Sequence, residues 1–257
     1  ALAAVRTTSH VEPQIHTNPN ASSTNCIRRG QDMTPPAART ITQTTPSMHM
    51  LCHQAPVIPV LSIIDLAHAV PLAEALVAGG LPVLEVTLRT SVALDAISLM
   101  ARVPGVTIGA GTVLNPRNAR EAHQAGATFA VSPGATHPLI DCCEDLGLPL
   151  LPGAASATEV MRLLDRGFDL MKFFPAAAAG GVAALRSFGA PLPQVHFCAT
   201  GGISQDTAQD YLALPNVACV GGSWVAPAQM VEEEHWGEIR KLAHQARQLG
   251  NGNRGGC

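Results

Sequence analysis

The sequence predicts an α/β fold, a single closed (β/α)8 TIM barrel, on two observations. From residue 57 onward, short apolar runs of strand length alternate with stretches of helical apolar spacing, and eight such strand-then-helix units can be counted. Strands that all run parallel must be covered by helices on their outer face, and closing eight of them removes both edges. An open doubly wound sheet is the alternative, and it requires several of the short strands to be absent. No second domain is expected.

Residues 1–50 are rich in Thr, Ser, Pro, Asn and Gln with almost no periodic apolar signal, the composition of a disordered extension. Its arginines point weakly to a transit peptide, whereas Glu12, Asp32 and the prolines point away from one. The barrel is expected over 51–249 and a flexible Gly-rich tail over 250–257. Val57-Ile58-Pro59-Val60-Leu61 opens it as a strand. Asp65 then precedes Leu66, Ala69, Val70, Ala73 and Leu76 at helical spacing, with Gly79-Gly80 as the stop. Val83-Leu84-Glu85-Val86 is the second strand and 91–102 the second helix. Further strands are expected at 106–110, 128–131, 149–152, 169–173, 194–198 and 217–221. Helices are expected near 116–125, 136–145, 156–166, 180–187, 204–213 and 237–249.

Composition excludes several classes of function. No uninterrupted apolar run reaches the length of a membrane span. A net charge of -3 without a basic patch argues against nucleic acid as a partner. The seven cysteines show neither a disulfide framework nor a C-x-x-C pair, and no H-E-x-x-H occurs. A reducing cytoplasm is therefore expected, and no structural metal.

The chemistry centres on Lys172 within Asp169-Leu170-Met171-Lys172-Phe173-Phe174-Pro175. A lysine buried in such a run costs several kcal/mol, about as much as any unpaired buried charge, unless it is paired or loses its proton. Snorkelling at a strand end is the bland reading. Yet the chain has two lysines against fourteen arginines, so arginine serves wherever a generic cation would do. Only lysine can become a neutral amine and attack a carbonyl.

A parallel barrel places its catalytic rim where strands end. Glu85, flanked by Leu84 and Val86, is either a satisfied ion-pair partner or an acid/base group. Lying far around the barrel from Lys172, it is expected to face that lysine across an axial pocket with room for a small substrate between them. Arg89 could hold a carboxylate with its forked donors, or sit solvated in a loop. Gly109-Ala110-Gly111-Thr112 allows close backbone approach and offers a hydroxyl, and Ser132-Pro133-Gly134 could form one wall. Thr200-Gly201-Gly202 and Gly221-Gly222-Ser223 end the seventh and eighth strands, where such barrels often hold a phosphate; tight turns without a ligand are the alternative. An amine, a carboxylic acid, a carboxylate clamp and an anion nest together suit a phosphorylated oxo acid.

These pieces resemble the bacterial 2-keto-3-deoxy-6-phosphogluconate (KDPG) and 4-hydroxy-2-oxoglutarate (KHG) aldolases. The likeness is carried in family order by PVIPVL, LVAGGLPVLEVTLRT, IGAGTVLNP, VSPG, LPG, MKFFPA, TGGIS and VGGSW, between about residues 55 and 249. It implies a class I aldolase, usually trimeric, that uses no metal or organic cofactor. It further implies Lys172 as the Schiff-base lysine, Glu85 as general acid/base, and Arg89 and Thr112 on the pyruvyl carboxylate. Thr200 would orient the substrate, Gly201, Gly202, Gly222 and Ser223 would bind phosphate, and Pro133 and Phe174 would line the site. Ala199 before Thr200, the run FPAAAAGG at 174–181 and His137 depart from the family pattern without removing any of these groups. The rivals are a phosphogalactonate-specific aldolase, a barrel phosphosugar isomerase or epimerase, and a catalytically inactive binding protein.

Overall fold

The computed structural model describes residues 47–250; of the extension expected over 1–50 and the tail expected over 250–257, residues 1–46 and 251–257 lie outside the described residues, while 48–50 already belong to a helix. Nine parallel strand segments alternate with helices. They are β1 Val57–Leu61, β2 Val83–Thr87, β3 Thr107–Gly111, β4 Phe129–Val131, β5 Leu150–Leu151, β6 Gly153–Ala154, β7 Leu170–Phe173, β8 His196–Thr200 and β9 Val217–Gly222. The ladder runs β5-β4-β3-β2-β1-β9-β8-β7-β6. Its two ends, β5 and β6, are halves of one stave separated only by Pro152, so the chain itself closes the ring at eight staves. The break has a simple cause. Proline has no N–H to give to the ladder, although its carbonyl still accepts the Lys172 backbone N–H at 2.8 Å.

Helices α2 Ala69–Ala78, α3 Ala93–Met100, α4 Pro116–Gln124, α5 His137–Leu146, α6 Ala157–Leu164, α7 Gly181–Gly189, α8 Gln205–Leu212 and α10 Trp236–Gln248 follow the expected positions. Their starts are written in the sequence. Asn115 accepts from the Asn118 N–H ahead of α4, and Ser156 forms a reciprocal capping box with Glu159 ahead of α6. Two helices were not expected from periodicity. Ala228–Glu232, α9, is one short turn near the barrel mouth. Met48–Gln54, α1, is capped by Ser47 and buries Met48, Leu51 and Cys52.

Two cores result, one on each surface of the sheet. Outward-facing residues such as Leu84, Val86, Met171, Phe173 and Phe197 pack beneath the helices. The interior core contains Ile58, Val83, Phe129, Leu151, Leu170, Cys198 and Cys219, with Met48, Leu51 and Cys52 of α1 packed into it. These interior residues come mostly from the beginnings of the strands, so α1 closes the N-terminal end of the barrel. Among the described residues no helix is long and apolar enough to cross a membrane.

Candidate active site

Strand alternation builds the site. Residues two apart share a face, so Glu85 and Thr87 follow Val83 inward, Lys172 follows Leu170, and Thr200 follows Cys198. Polar groups therefore stand above an apolar floor on the same staves. Lys172 and Glu85 are 5% and 3% exposed, and Lys172 Nζ donates to Glu85 Oε1 at 3.1 Å. The sequence led us to expect a substrate-sized gap between these two groups; instead their heads touch. An eight-stranded barrel is only wide enough for side chains to fill, so staves far apart in sequence meet on the axis.

The pair is held from several sides. The Lys172 ammonium lies 5.5 Å from the centre of the Phe174 ring. Gly111 is required beside the carboxylate, because a methyl group there would overlap Glu85. Thr112 follows with φ of 59°, an uncommon conformation for a β-branched residue. Its neighbours enforce that conformation. The Leu88 N–H donates to the Gly111 carbonyl at 2.8 Å, and the Val113 N–H donates to that of Val131 at 3.1 Å. Backbone strain concentrates at ligand-binding positions, which gives Thr112 a physical reason for attention beyond its resemblance.

A cavity of 740 Å³ opens at the C-terminal ends of the strands. Arg89, Phe174, Thr200, Gly201, Gly202 and Ser223, six of the residues singled out from sequence, line it. Gly222 ends β9 beneath Trp224, whose ring would overlap any side chain at that position. Pro133 lies just beyond β4, its backbone so close to Gly153 that a methyl group there would collide with it. Thr112, Pro133, Gly222 and the Lys172–Glu85 pair itself are not among the cavity-lining residues; the pair adjoins the cavity through Val60, which stands opposite Glu85, and through Phe174. The Thr200 and Gly201 carbonyls accept the Ala176 and Ala177 N–H groups at 2.8 and 3.0 Å, tying the rim of β8 to that of β7.

Ser62, Asp65, His68 and Trp224 also line the cavity and were missed by sequence reasoning. Ser62 had a usable signal, being the first polar residue after an apolar strand at the catalytic end. Below the site, Cys198 Sγ lies 3.7 Å from Thr200 Oγ1. The Cys219 thiol is pushed well above its ordinary range, first by its hydrogen bond with Cys198 and then by that with Cys52 and by burial. It is thus held as an inert thiol in the floor. Among the described residues no group of three or more His, Cys, Asp or Glu is placed to hold a metal ion.

Comparison with known proteins points the same way as this geometry. The family model for KDPG and KHG aldolase matches residues 48–242. A 2-dehydro-3-deoxy-phosphogluconate aldolase of Pseudoalteromonas atlantica is 54% identical over 194 residues, covering 75% of this chain and 90% of the relative. The crystal structure of the 2-keto-3-deoxy-6-phosphogluconate aldolase of Zymomonas mobilis superposes with a TM-score of 0.76 at 49% identity, covering 79% of this chain and 98% of that one. A KDPG aldolase of Legionella pneumophila, solved with pyruvate captured as a covalent carbinolamine, gives a TM-score of 0.76 at 47% identity, covering 77% of this chain and 97% of that one. The barrel, its mouth and these likenesses together mean that the chain belongs to the KDPG and KHG aldolase family.

Proposed function

We propose that the chain is a class I aldolase that cleaves 2-dehydro-3-deoxy-6-phosphogluconate to pyruvate and D-glyceraldehyde 3-phosphate, and 4-hydroxy-2-oxoglutarate to pyruvate and glyoxylate. The observation that carries the reading is the buried 3.1 Å contact between Lys172 and Glu85, with Lys172 beside Phe174 at the edge of the cavity. A buried ion pair is poor value for stability, because desolvation offsets most of the Coulomb attraction. It suits chemistry well. Moving one proton along the Nζ to Oε1 bond leaves a neutral amine beside a carboxylic acid, a nucleophile and a proton donor in hydrogen-bond contact.

The Lys172 amine attacks the C2 ketone, and Glu85 protonates the departing oxygen as the carbinolamine loses water. The resulting iminium draws electrons from the C3–C4 bond. Glu85, now a carboxylate, takes the C4 hydroxyl proton as that bond breaks, which frees the aldehyde and leaves the pyruvyl enamine on Lys172. Protonation at C3 and hydrolysis of the imine release pyruvate. Arg89 and Thr112 hold the substrate carboxylate, while Thr200, Phe174 and Pro133 shape the pocket. Gly201, Gly202, Gly222 and Ser223 receive the phosphate. The carbinolamine in the Legionella relative supports the covalent step. Family likeness supports a homotrimer working in the cytoplasm, and sedimentation equilibrium should give the mass of three chains.

The deciding test is borohydride reduction of the purified protein with pyruvate, followed by peptide mass analysis. One reduced pyruvyl adduct on Lys172 is expected. Folded protein without an adduct would overturn the imine mechanism in favour of isomerase-like acid/base chemistry or an inactive binder. Competing assays with the phosphogalactonate epimer separate the remaining aldolase alternative.

A further inference from the structure

Resting on that reading, the hydrogen bonds at the end of β1 assign a role to a residue the mechanism has not used. We propose that Ser62 determines specificity by accepting a hydrogen bond from the C5 hydroxyl of the phosphorylated substrate. Thr87 is fully buried, and its hydroxyl donates to the Leu61 carbonyl at 2.8 Å. Ser62 Oγ stands 2.9 Å from Thr87 Oγ1. A hydroxyl has one proton to give, and that of Thr87 is already committed to Leu61. Ser62 must therefore be the donor in the Ser62–Thr87 bond. Its own proton is turned into the wall, and its lone pairs remain for the cavity it lines.

This serine is a fixed acceptor. The Leu61 carbonyl on one side is held by Thr87, and the Ile63 carbonyl on the other accepts the Thr90 hydroxyl at 2.6 Å. Such an oxygen attracts a group that carries a proton and offers nothing to a carboxylate or phosphate oxygen, so it reads hydroxyl against anion.

Position selects the hydroxyl. β1 pairs with β2 on one side, where Val60 stands opposite Glu85, and with β9 on the other, where Pro59 stands opposite Gly222. Ser62 therefore lies between the acid/base group and the phosphate turn, where the aldehyde half of the substrate must run. In that half the C4 hydroxyl belongs to Glu85 and the phosphate to the glycine turns. The C5 hydroxyl is the one polar group left without a partner.

The test compares two aldehydes in condensation with pyruvate: D-glyceraldehyde 3-phosphate, and 3-hydroxypropanal phosphate, which lacks the hydroxyl in question. The preference of the wild-type enzyme for the first, as a ratio of kcat/KM values, should fall about three- to tenfold in Ser62→Ala, the range of one neutral hydrogen bond. Ser62→Thr, which keeps the hydroxyl, should restore it to within about twofold. A general disturbance of the wall would lower both rates together and leave the ratio unchanged, and that result overturns the assignment. So does an unaltered preference in Ser62→Ala. Absence of the borohydride adduct in the wild-type protein would instead remove the imine reading on which the inference rests, an outcome visible before any variant is made.

Discussion

The two ends of this barrel are made from the same staves and have opposite chemistry. At the floor, Ile58, Val83, Phe129, Leu170 and Cys198 pack against Met48, Leu51 and Cys52 of α1. Two residues further along three of those strands stand Glu85, Lys172 and Thr200, each nearly excluded from solvent and each polar. Val60 and Ser62 continue the first stave in the same sense. One pleat of about 6–7 Å thus separates a hydrophobic core from a reaction centre. The floor obeys the rule that burial stabilises, at about 25 cal/mol per Å² of apolar surface. The mouth breaks that rule with a buried ion pair, a threonine at positive φ and paired glycines. Departures of this kind belong at functional sites and must be supported by the rest of the fold. If the division is real, substitutions at the two ends should separate stability from turnover.

The largest separation is expected at Lys172. Lys172→Arg retains the positive charge next to Glu85 and removes the only amine that could form an imine there. Steady-state assays should show aldolase turnover lowered by about 10⁴-fold or more, while circular dichroism shows the barrel intact. Turnover within tenfold of wild type would mean that the mouth does not act through this amine.

Leu51→Ala should do the converse. Leu51 is completely buried in the interior core, and truncating it leaves a cavity between α1 and the strand starts. Urea unfolding should report a loss of about 2–5 kcal/mol. The kcat and KM of the folded fraction should stay close to wild type. A change in KM comparable to that of a mouth variant would show that α1 shapes the site through the floor, and the division would then fail.

How much of this was legible beforehand differs between the ends. The mouth announced itself. Lys172 stands out because the chain otherwise uses arginine, Glu85 because acids seldom sit between Leu and Val, and the glycine pairs because they end the seventh and eighth staves. The direct Lys172–Glu85 contact was not legible, since it depends on the barrel's diameter and the two residues are 87 positions apart. The floor was harder still. α1 has seven residues behind a polar segment, too short for a periodic signal, and only its packing into the barrel gives it a reason to form. The pair of Cys198 and Cys219 likewise exists only once β8 lies beside β9. Pro152 was read as part of a strand, and the missing N–H that splits the stave is visible only in the ladder. Ser62 could be noticed as the first polar residue after β1, but its meaning depends on where the Thr87 proton goes.

The smallest effect is expected where α1 is tied to the outside of the floor. His49 Nε2 lies 2.6 Å from Asp169 Oδ1, just before β7, and their side chains are 42% and 57% exposed. That hydrogen bond is the main cause holding the Asp169 carboxyl below its ordinary value of 3.8. A carboxylate lowered on folding adds stability above its ordinary value and loses it as the pH falls through the lowered one. The Asp169 contribution should therefore be present above pH 3.8 and fade as the pH falls below it. Solvent screening limits it to under about 1 kcal/mol, so Asp169→Asn should lower the thermal midpoint by no more than about 3 °C at pH 7. The two proteins should converge in more acidic buffer, with kcat unaltered throughout. A larger shift that persisted at low pH would mean that α1 is held through the interior contacts of Met48 and Leu51 in a way that depends on this surface residue, and the floor would have to be treated as one cooperative unit with its rim.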